Sequence, residues 1–395
     1  MISQEMLRLG QQSSVIRAIS EYGRARKNEI GAENVFDFSL GNPSIPAPVA
    51  VEEAMLAEIK NTPAALLHGY TSSAGDPKTR GAIASYIEKT HGAKADADLI
   101  YMTCGAAASL TCTLHALCNP EDEVVVPSPF FPEYRVFIEK TGAKLVEAPC
   151  HRPSFIPDLE KMAACINEKT KAVLINSPNN PTGAVYSEET LRALSALLKE
   201  KEKEFGTEIY LISDEPYREL YYGKGNLPWL PSLYERTIVA YSYSKSLSLP
   251  GERIGYIFVS PTMPEAKTVF AAVCGAGRSL GFVCAPSLWQ RVVASLQGVT
   301  SDVEEYRKNR DVLYGALSEM GYVITPPDGA FYLFVEALEE DANAFCEQAK
   351  KYELLLVPGD SFGAKGFVRL AYCVSRDTIE KSLPAFRRLM EDYKK

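Results

Sequence analysis

Thr237-Ile-Val-Ala-Tyr241-Ser242-Tyr-Ser244-Lys245-Ser-Leu-Ser-Leu-Pro-Gly251-Glu-Arg253-Ile-Gly255-Tyr256 is the stretch that decides how this chain reads. Its first residues are apolar on both faces, as a strand buried in a largely parallel sheet should be. The run ends in small hydroxyl residues around a lysine, and eight positions later an arginine stands between two glycines. Lysine is the side chain that forms an imine with an aldehyde. Serine and arginine suit a phosphate group. Together they suggest pyridoxal phosphate (PLP), held covalently through its aldehyde and electrostatically through its phosphate. By itself Lys245 reads more simply as a surface lysine beside a turn, so the rest of the chain has to decide.

Working outward, further apolar runs end in distinctive polar segments. Leu99-Ile-Tyr-Met-Thr103 leads into Cys104-Gly105-Ala106-Ala107, and Glu123-Val-Val-Val126 into Pro127-Ser-Pro-Phe130-Phe131. Ala172-Val-Leu-Ile175 leads into Asn176-Ser-Pro-Asn179-Asn180-Pro181-Thr182-Gly183, and Ile209-Tyr-Leu-Ile-Ser213 into Asp214-Glu-Pro-Tyr217. Helical patterns separate these runs. The clearest has Ser187 as N-cap, Glu188 and Glu189 in the first turn, an apolar face of Leu191, Leu194, Leu197 and Leu198, and Gly206 as the stop. This alternation predicts an α/β fold. In open α/β sheets ligands bind beyond the carboxyl ends of the strands. One such coincidence means little; five strands delivering polar motifs to one edge make a site.

The tail differs in texture. A helical stretch from Leu288 to about Met320 leads to short strands around Ala330–Val335 and Gly366–Ala371, which predicts a smaller α+β domain. The expected division is a large domain over 45–285 and a small one formed by 1–44 and 286–395. The Pro- and Gly-rich segment Leu40–Pro48 is the expected link.

The 395 residues are 46% hydrophobic and 23% charged, ordinary for a globular protein. A net charge of −8 without a basic patch disfavours nucleic acid. No apolar run approaches a membrane span, and the first residues lack the basic start and apolar core of a signal peptide. Nine scattered cysteines without a Cys-x-x-Cys pair read as reduced thiols in a cytoplasm. Four dispersed histidines give no metal-ligand spacing. Gly275-Ala-Gly277-Arg-Ser-Leu-Gly281 lacks the spacing and context of a nucleotide-binding loop.

The ordered set of Asn-Asn-Pro-x-Gly-like turn, Asp-x-x-Tyr, Ser-x-Ser-Lys and Gly-x-Arg-x-Gly resembles the fold-type I PLP enzymes of the aspartate aminotransferase (class I/II) family. The matching motifs run from Leu40 to Arg369. The resemblance implies a mostly parallel, seven-stranded sheet flanked by helices. It implies that Lys245 carries the cofactor and moves a proton between the substrate Cα and the cofactor. Asp214 would pair with the pyridine nitrogen, Tyr217 and Asn180 would bond the ring's phenolic oxygen, and Phe131 (or its neighbour Phe130) would stack on the ring. Ser242, Ser244, Arg253 and the backbone of Gly105, Ala106 and Ala107 would hold the phosphate, with Tyr70 reaching the partner's phosphate across a homodimer interface. Arg369 and Gly41 would bind the substrate α-carboxylate, and Asn180 would also contact the substrate. Arg278 is similar in placement to an arginine that, in one branch, crosses the interface to a distal carboxylate.

The implied activity is transamination from an L-amino acid, aspartate or another acidic or broad donor, to a 2-oxo acid such as 2-oxoglutarate. It would run by ping-pong through pyridoxamine phosphate. A PLP-dependent C–S β-lyase shares the same motifs. An aminotransferase-like effector-binding regulator is a distant alternative, since it needs a basic DNA-binding module ahead of the fold.

Overall fold

In the computed structural model, residues 2–11 and 15–394 are described. A two-residue strand, β1 (Phe36–Asp37), precedes the main sheet. That sheet contains β2 (Ile100–Thr103), β3 (Glu123–Ser128), β4 (Lys144–His151), β5 (Ile156–Pro157), β6 (Thr170–Asn176), β7 (Tyr210–Asp214), β8 (Thr237–Ser242) and β9 (Gly255–Val259). The order across it is β2-β9-β8-β7-β6-β3-β4-β5. β4, β3, β6, β7 and β8 are parallel neighbours. β9 runs against both β8 and β2, so β2 points the same way as β8. The seven expected strands are present, and β5, folded back on β4, adds a short eighth.

Burial on both faces explains the unbroken apolar runs. Along β3, Val124 and Val126 enter one cluster with Leu174, Ile212 and Ile257, while Val125 enters another with Val173 and Leu211. Each such side chain contributes roughly 1.5–3 kcal/mol on burial. The helix Glu188–Phe205 starts at Ser187, whose hydroxyl accepts from the Thr190 amide, and stops at left-handed Gly206. Its Leu191, Leu194 and Leu198 cover the second cluster.

The long helix expected from Leu288 to Met320 is instead two helices, Ser287–Ala294 and Val303–Met320. Gly298 adopts a left-handed φ of 82° between them. Asp302 then caps the second helix, accepting from the amides of Glu304 and Glu305. The first helix sends Val292 and Val293 into the cluster that contains Ile100 and Phe258 of the main sheet. Its packing therefore ties it to the larger sheet, although it lies beyond the expected boundary at 285.

After it come β10 (Tyr332–Glu336), β11 (Leu354–Leu355), β12 (Val357–Pro358) and β13 (Phe367–Ala371). β10, β13 and β12 form an antiparallel sheet, while β11 pairs in parallel with β1. A separate cluster, with Phe38, Leu313, Phe331, Phe345 and Phe386, supports this part. No described helix is long and apolar enough to cross a membrane.

Candidate active site

β2, β3, β6, β7 and β8 point the same way, so their carboxyl ends share one edge. A cavity of about 280 Å³ opens there. Ala106, Ala107, Phe131, Asn180, Asp214, Tyr217, Ser242, Ser244, Lys245 and Arg253 line it from the main sheet's side. Gly41, Tyr332 and Arg369 line it from the smaller sheet and its approach. The polar motifs read from the five strand ends thus meet in one space.

Asp214 closes β7 at the cavity's floor. Burial pushes its carboxyl up to about 7, against the opposing effect of a hydrogen bond from the Tyr134 hydroxyl. Its other oxygen, Oδ1, is buried with no partner among the described residues. A buried, unpartnered carboxylate oxygen is costly, and a cationic N–H placed there would satisfy it. Asn176 fixes the surrounding backbone, donating from Nδ2 to the Asp214 carbonyl at 2.9 Å and accepting from the Asn180 amide at 2.7 Å.

Lys245 sits on the short helix Tyr243–Ser246 directly after β8. Its ammonium donates to the Gly41 carbonyl at 2.7 Å. Burial pulls its pKa down to about 8, and the cations Arg253 and Arg369 pull the same way. The tyrosines Tyr217 and Tyr332 share a hydroxyl hydrogen bond of 2.9 Å beside it.

At the opposite end the walls suit an anion. The helix Ala106–Leu117 begins at Gly105, whose φ is 87° and which supplies no side-chain cap. Its first-turn amides and the positive end of the helix are therefore available to a phosphate. Ser242 and Ser244 hydroxyls lie 2.6 Å apart. Arg253 donates to the Pro250 carbonyl at 3.1 Å and packs on Gly105, where a Cβ would meet Nη2 at 2.8 Å. Gly255 is equally constrained, since a Cβ would lie 2.3 Å from the Tyr241 carbonyl.

Arg369, in β13, is only 2% exposed. Its Nη1 donates to Asn180 Oδ1 at 3.0 Å and its Nη2 to the Ser39 carbonyl at 2.5 Å. Nε has no partner and no acidic side chain pairs with the guanidinium among the described residues. Tyr332 and Phe362 rings flank it, 4.7 and 4.9 Å from its central carbon. A buried cation without an anion is expensive, and a bound carboxylate would compensate it.

Phe131 lines the cavity, whereas Phe130 packs into the apolar cluster beneath. Gly105 stands just behind the lining. Tyr70 (89% exposed) and Arg278, in the last turn of the helix Ala266–Ser279, are both on the surface and away from this chain's cavity. Tyr134, Asn176, Ser39, Tyr332 and Ile16 join or support the site without having been anticipated. Only Asn176, at a strand end, carried a sequence signal. The other four reach the site from distant elements.

An unpartnered carboxylate oxygen, a lysine and an anion cradle along one cavity match the ring nitrogen, aldehyde and phosphate of PLP. Fold and site together define an α/β enzyme of the PLP-dependent type. Over residues 33–386 the sequence matches the family "Aminotransferase class I and II". It is similar to the probable N-acetyl-LL-diaminopimelate aminotransferase of Bacillus subtilis (31% identical, covering 89% of this chain and 88% of that protein). It is also similar to the aspartate/prephenate aminotransferase of Thermus thermophilus (30% identical, covering 89% of each). Among solved structures, an aminotransferase from Eubacterium rectale superposes with a TM-score of 0.98 at 49% identity over 100% of both chains. The aspartate aminotransferase of Thermus thermophilus with maleate gives 0.87 at 27% identity, over 98% of this chain and 100% of that one. The chain belongs to the class I and II aminotransferase family and is a PLP-dependent aminotransferase.

Proposed function

We propose that this aminotransferase moves the amino group of an L-amino acid to a 2-oxo acid such as 2-oxoglutarate, in two alternating half-reactions. The observation that carries the substrate reading is Arg369, a buried guanidinium with no acidic partner among the described residues, facing the same cavity as Lys245. A planar guanidinium binds a carboxylate through paired hydrogen bonds. In this reading Arg369, with Asn180 and the Gly41 backbone, orients the substrate α-carboxylate.

When bound, PLP supplies an electron sink for the charge that develops at the substrate Cα. Lys245 holds the cofactor and transfers the proton at Cα, for which a pKa near 8 suits it. Asp214 keeps the ring nitrogen protonated, with Tyr134 orienting the carboxylate. Tyr217 and Asn180 would hold the ring through its phenolic oxygen, and Phe131 would support the ring's face. Ser242, Ser244, Arg253 and the Gly105–Ala107 backbone would hold the phosphate.

The full site is assigned to a homodimer, with exposed Tyr70 and Arg278 serving the partner's site. Arg278 is the proposed contact for a distal carboxylate of an acidic donor, in keeping with the aspartate named in relatives. The expected division, 45–285 against 1–44 and 286–395, is kept as a proposal, and the packing of Ser287–Ala294 supports carrying the larger part past 285. A cytoplasmic setting fits nine cysteines that are all unpaired.

Incubating the holoenzyme with an amino donor and no acceptor tests the reaction. A stoichiometric shift of the cofactor's visible band to its amine form is expected; continuous release of pyruvate and ammonia would support lyase chemistry instead. Arg278→Ala should lose activity toward aspartate selectively, and an equal loss toward alanine would remove Arg278 from the donor site.

A further inference from the structure

Three consecutive carbonyls, those of Ser39, Leu40 and Gly41, are each held by a different side chain. Ser39 O accepts from Arg369 Nη2 at 2.5 Å, and Gly41 O accepts from Lys245 Nζ at 2.7 Å. Between them, Leu40 O accepts from the Cys373 thiol at 3.5 Å, within range for a sulfur donor. The segment follows β1 and has neither helix nor strand of its own. Its last ladder-like contacts are at Phe38, whose amide donates to Leu355 O and whose carbonyl accepts from the Ala371 amide. Beyond that point, side chains hold its backbone.

A peptide unit is planar, so holding the Leu40 carbonyl also fixes the Gly41 amide in the same plane. Gly41 itself is the least restrained residue type. It must be glycine, because a Cβ would lie 2.1 Å from the Tyr332 hydroxyl. With the bond at Leu40, only Gly41 separates the Gly41 carbonyl from its nearest backbone anchor; without it, both Leu40 and Gly41 do. Cys373 is 2% exposed and is reached from β13, four positions after Arg369.

We propose that Cys373 is a positioning residue for the amine of Lys245, acting through the Leu40–Gly41 backbone. This rests on Lys245 being the lysine that carries the cofactor. The simpler reading is that Cys373 fills space as a small apolar side chain. Geometry favours the tether, since the thiol meets an acceptor that neighbours the one Lys245 uses. Burial also pushes the thiol up to about 12, which keeps it in the form that donates.

The test compares Cys373→Ala and Cys373→Ser holoenzymes. The readouts are kcat, KM for the amino donor, thermal midpoint, and the pH midpoint of the cofactor's visible absorbance change. Losing one net hydrogen bond should lower kcat about threefold to tenfold in the alanine variant. KM should change by less than about twofold, because Arg369 keeps Asn180. The absorbance midpoint should move, and serine should restore both it and kcat. An unchanged alanine variant overturns the proposal. So do alanine and serine variants whose kcat falls in step with thermal stability while the pH midpoint stays fixed. If the alanine cavity prevents folding, Cys373→Thr and Cys373→Val form a near-isosteric pair differing in the donor; equal kcat values overturn the proposal, and a faster threonine variant supports it. Borohydride fixing the cofactor on a residue other than Lys245 would sink the underlying assignment, which the Cys373 variants leave untouched.

Discussion

Replacing Asp214 by asparagine removes a carboxyl group whose Oδ1 is buried and has no partner among the described residues. Burial lifts Asp214 from an ordinary 3.8 to about 7. At 1.36 kcal/mol per unit, this separation of about three units corresponds to roughly 4 kcal/mol. The folded cofactor-free protein then keeps a proton over a pH range in which the unfolded chain has released it. Its stability therefore falls as pH rises from about 4 to about 7 and stays low above that. Roughly 3 kcal/mol of the loss belongs between pH 5 and 8, a large share of the roughly 5–15 kcal/mol of a typical protein. Asparagine carries no charge at any pH, so the variant lacks this component.

The assay is urea denaturation of cofactor-free wild type and Asp214→Asn at pH 5 and pH 8, repeated with cofactor bound. Wild type should lose stability relative to the variant as pH rises, and on the proposed pairing of a cationic ring nitrogen with the carboxylate the relative loss should disappear in the holoenzyme. Tyr134→Phe, which deletes the donor that favours the ionised form, should shift the wild-type transition to higher pH. Parallel pH dependences for cofactor-free wild type and Asp214→Asn would refute the reasoning.

Three further substitutions probe the rest of the cavity. Lys245→Ala should bind cofactor without borohydride-stable attachment and lose at least about a hundredfold in kcat, measured in single turnovers. Arg369→Lys keeps the charge but not the planar fork, and kcat/KM for amino donors should fall about a hundredfold. Gly41→Ala should lower the thermal midpoint and cut kcat/KM at least about tenfold, through the clash with the Tyr332 hydroxyl. Adding Tyr332→Phe should recover part of that loss, and no recovery would place the clash elsewhere.

The strand-borne half of the candidate site was legible because each strand end carries its cavity-lining residue within a few positions. Asp214 closes β7, Ser242 closes β8, and Asn180 follows β6 by four residues. Tyr134 was not legible: it lies 80 residues from Asp214, on the helix Glu133–Glu139, where an aromatic residue signals core as readily as a hydrogen-bond donor. Tyr332 likewise reads as one more buried strand residue until its hydroxyl is seen against Gly41 and Tyr217. The break between the two helices before Met320 did leave a mark. Gly298 and the Asp302-x-Glu304-Glu305 cap stand in the sequence, but apolar residues on both sides of the gap obscured them. Tyr70 and Arg278 show the converse: matching positions along the chain say nothing about what faces them within one subunit.

The cavity is walled by two sets of residues with separate supports. Lys245, Asp214 and the proposed phosphate cradle hang on the main sheet, where an added Cβ at Gly105 or Gly255 would meet Arg253 or the Tyr241 carbonyl. Gly41, Tyr332 and Arg369 come from β10, β13 and the segment after β1. The two walls are nevertheless bonded to each other across the cavity, Lys245 to the Gly41 carbonyl, Arg369 to Asn180 and Tyr217 to Tyr332, so a change on one reaches the other. A library for new donors therefore belongs at Ile16, which lines the cavity without taking part in any of these bonds. Diversity placed at Gly105 or Gly255 would be spent on variants that lose the coenzyme first.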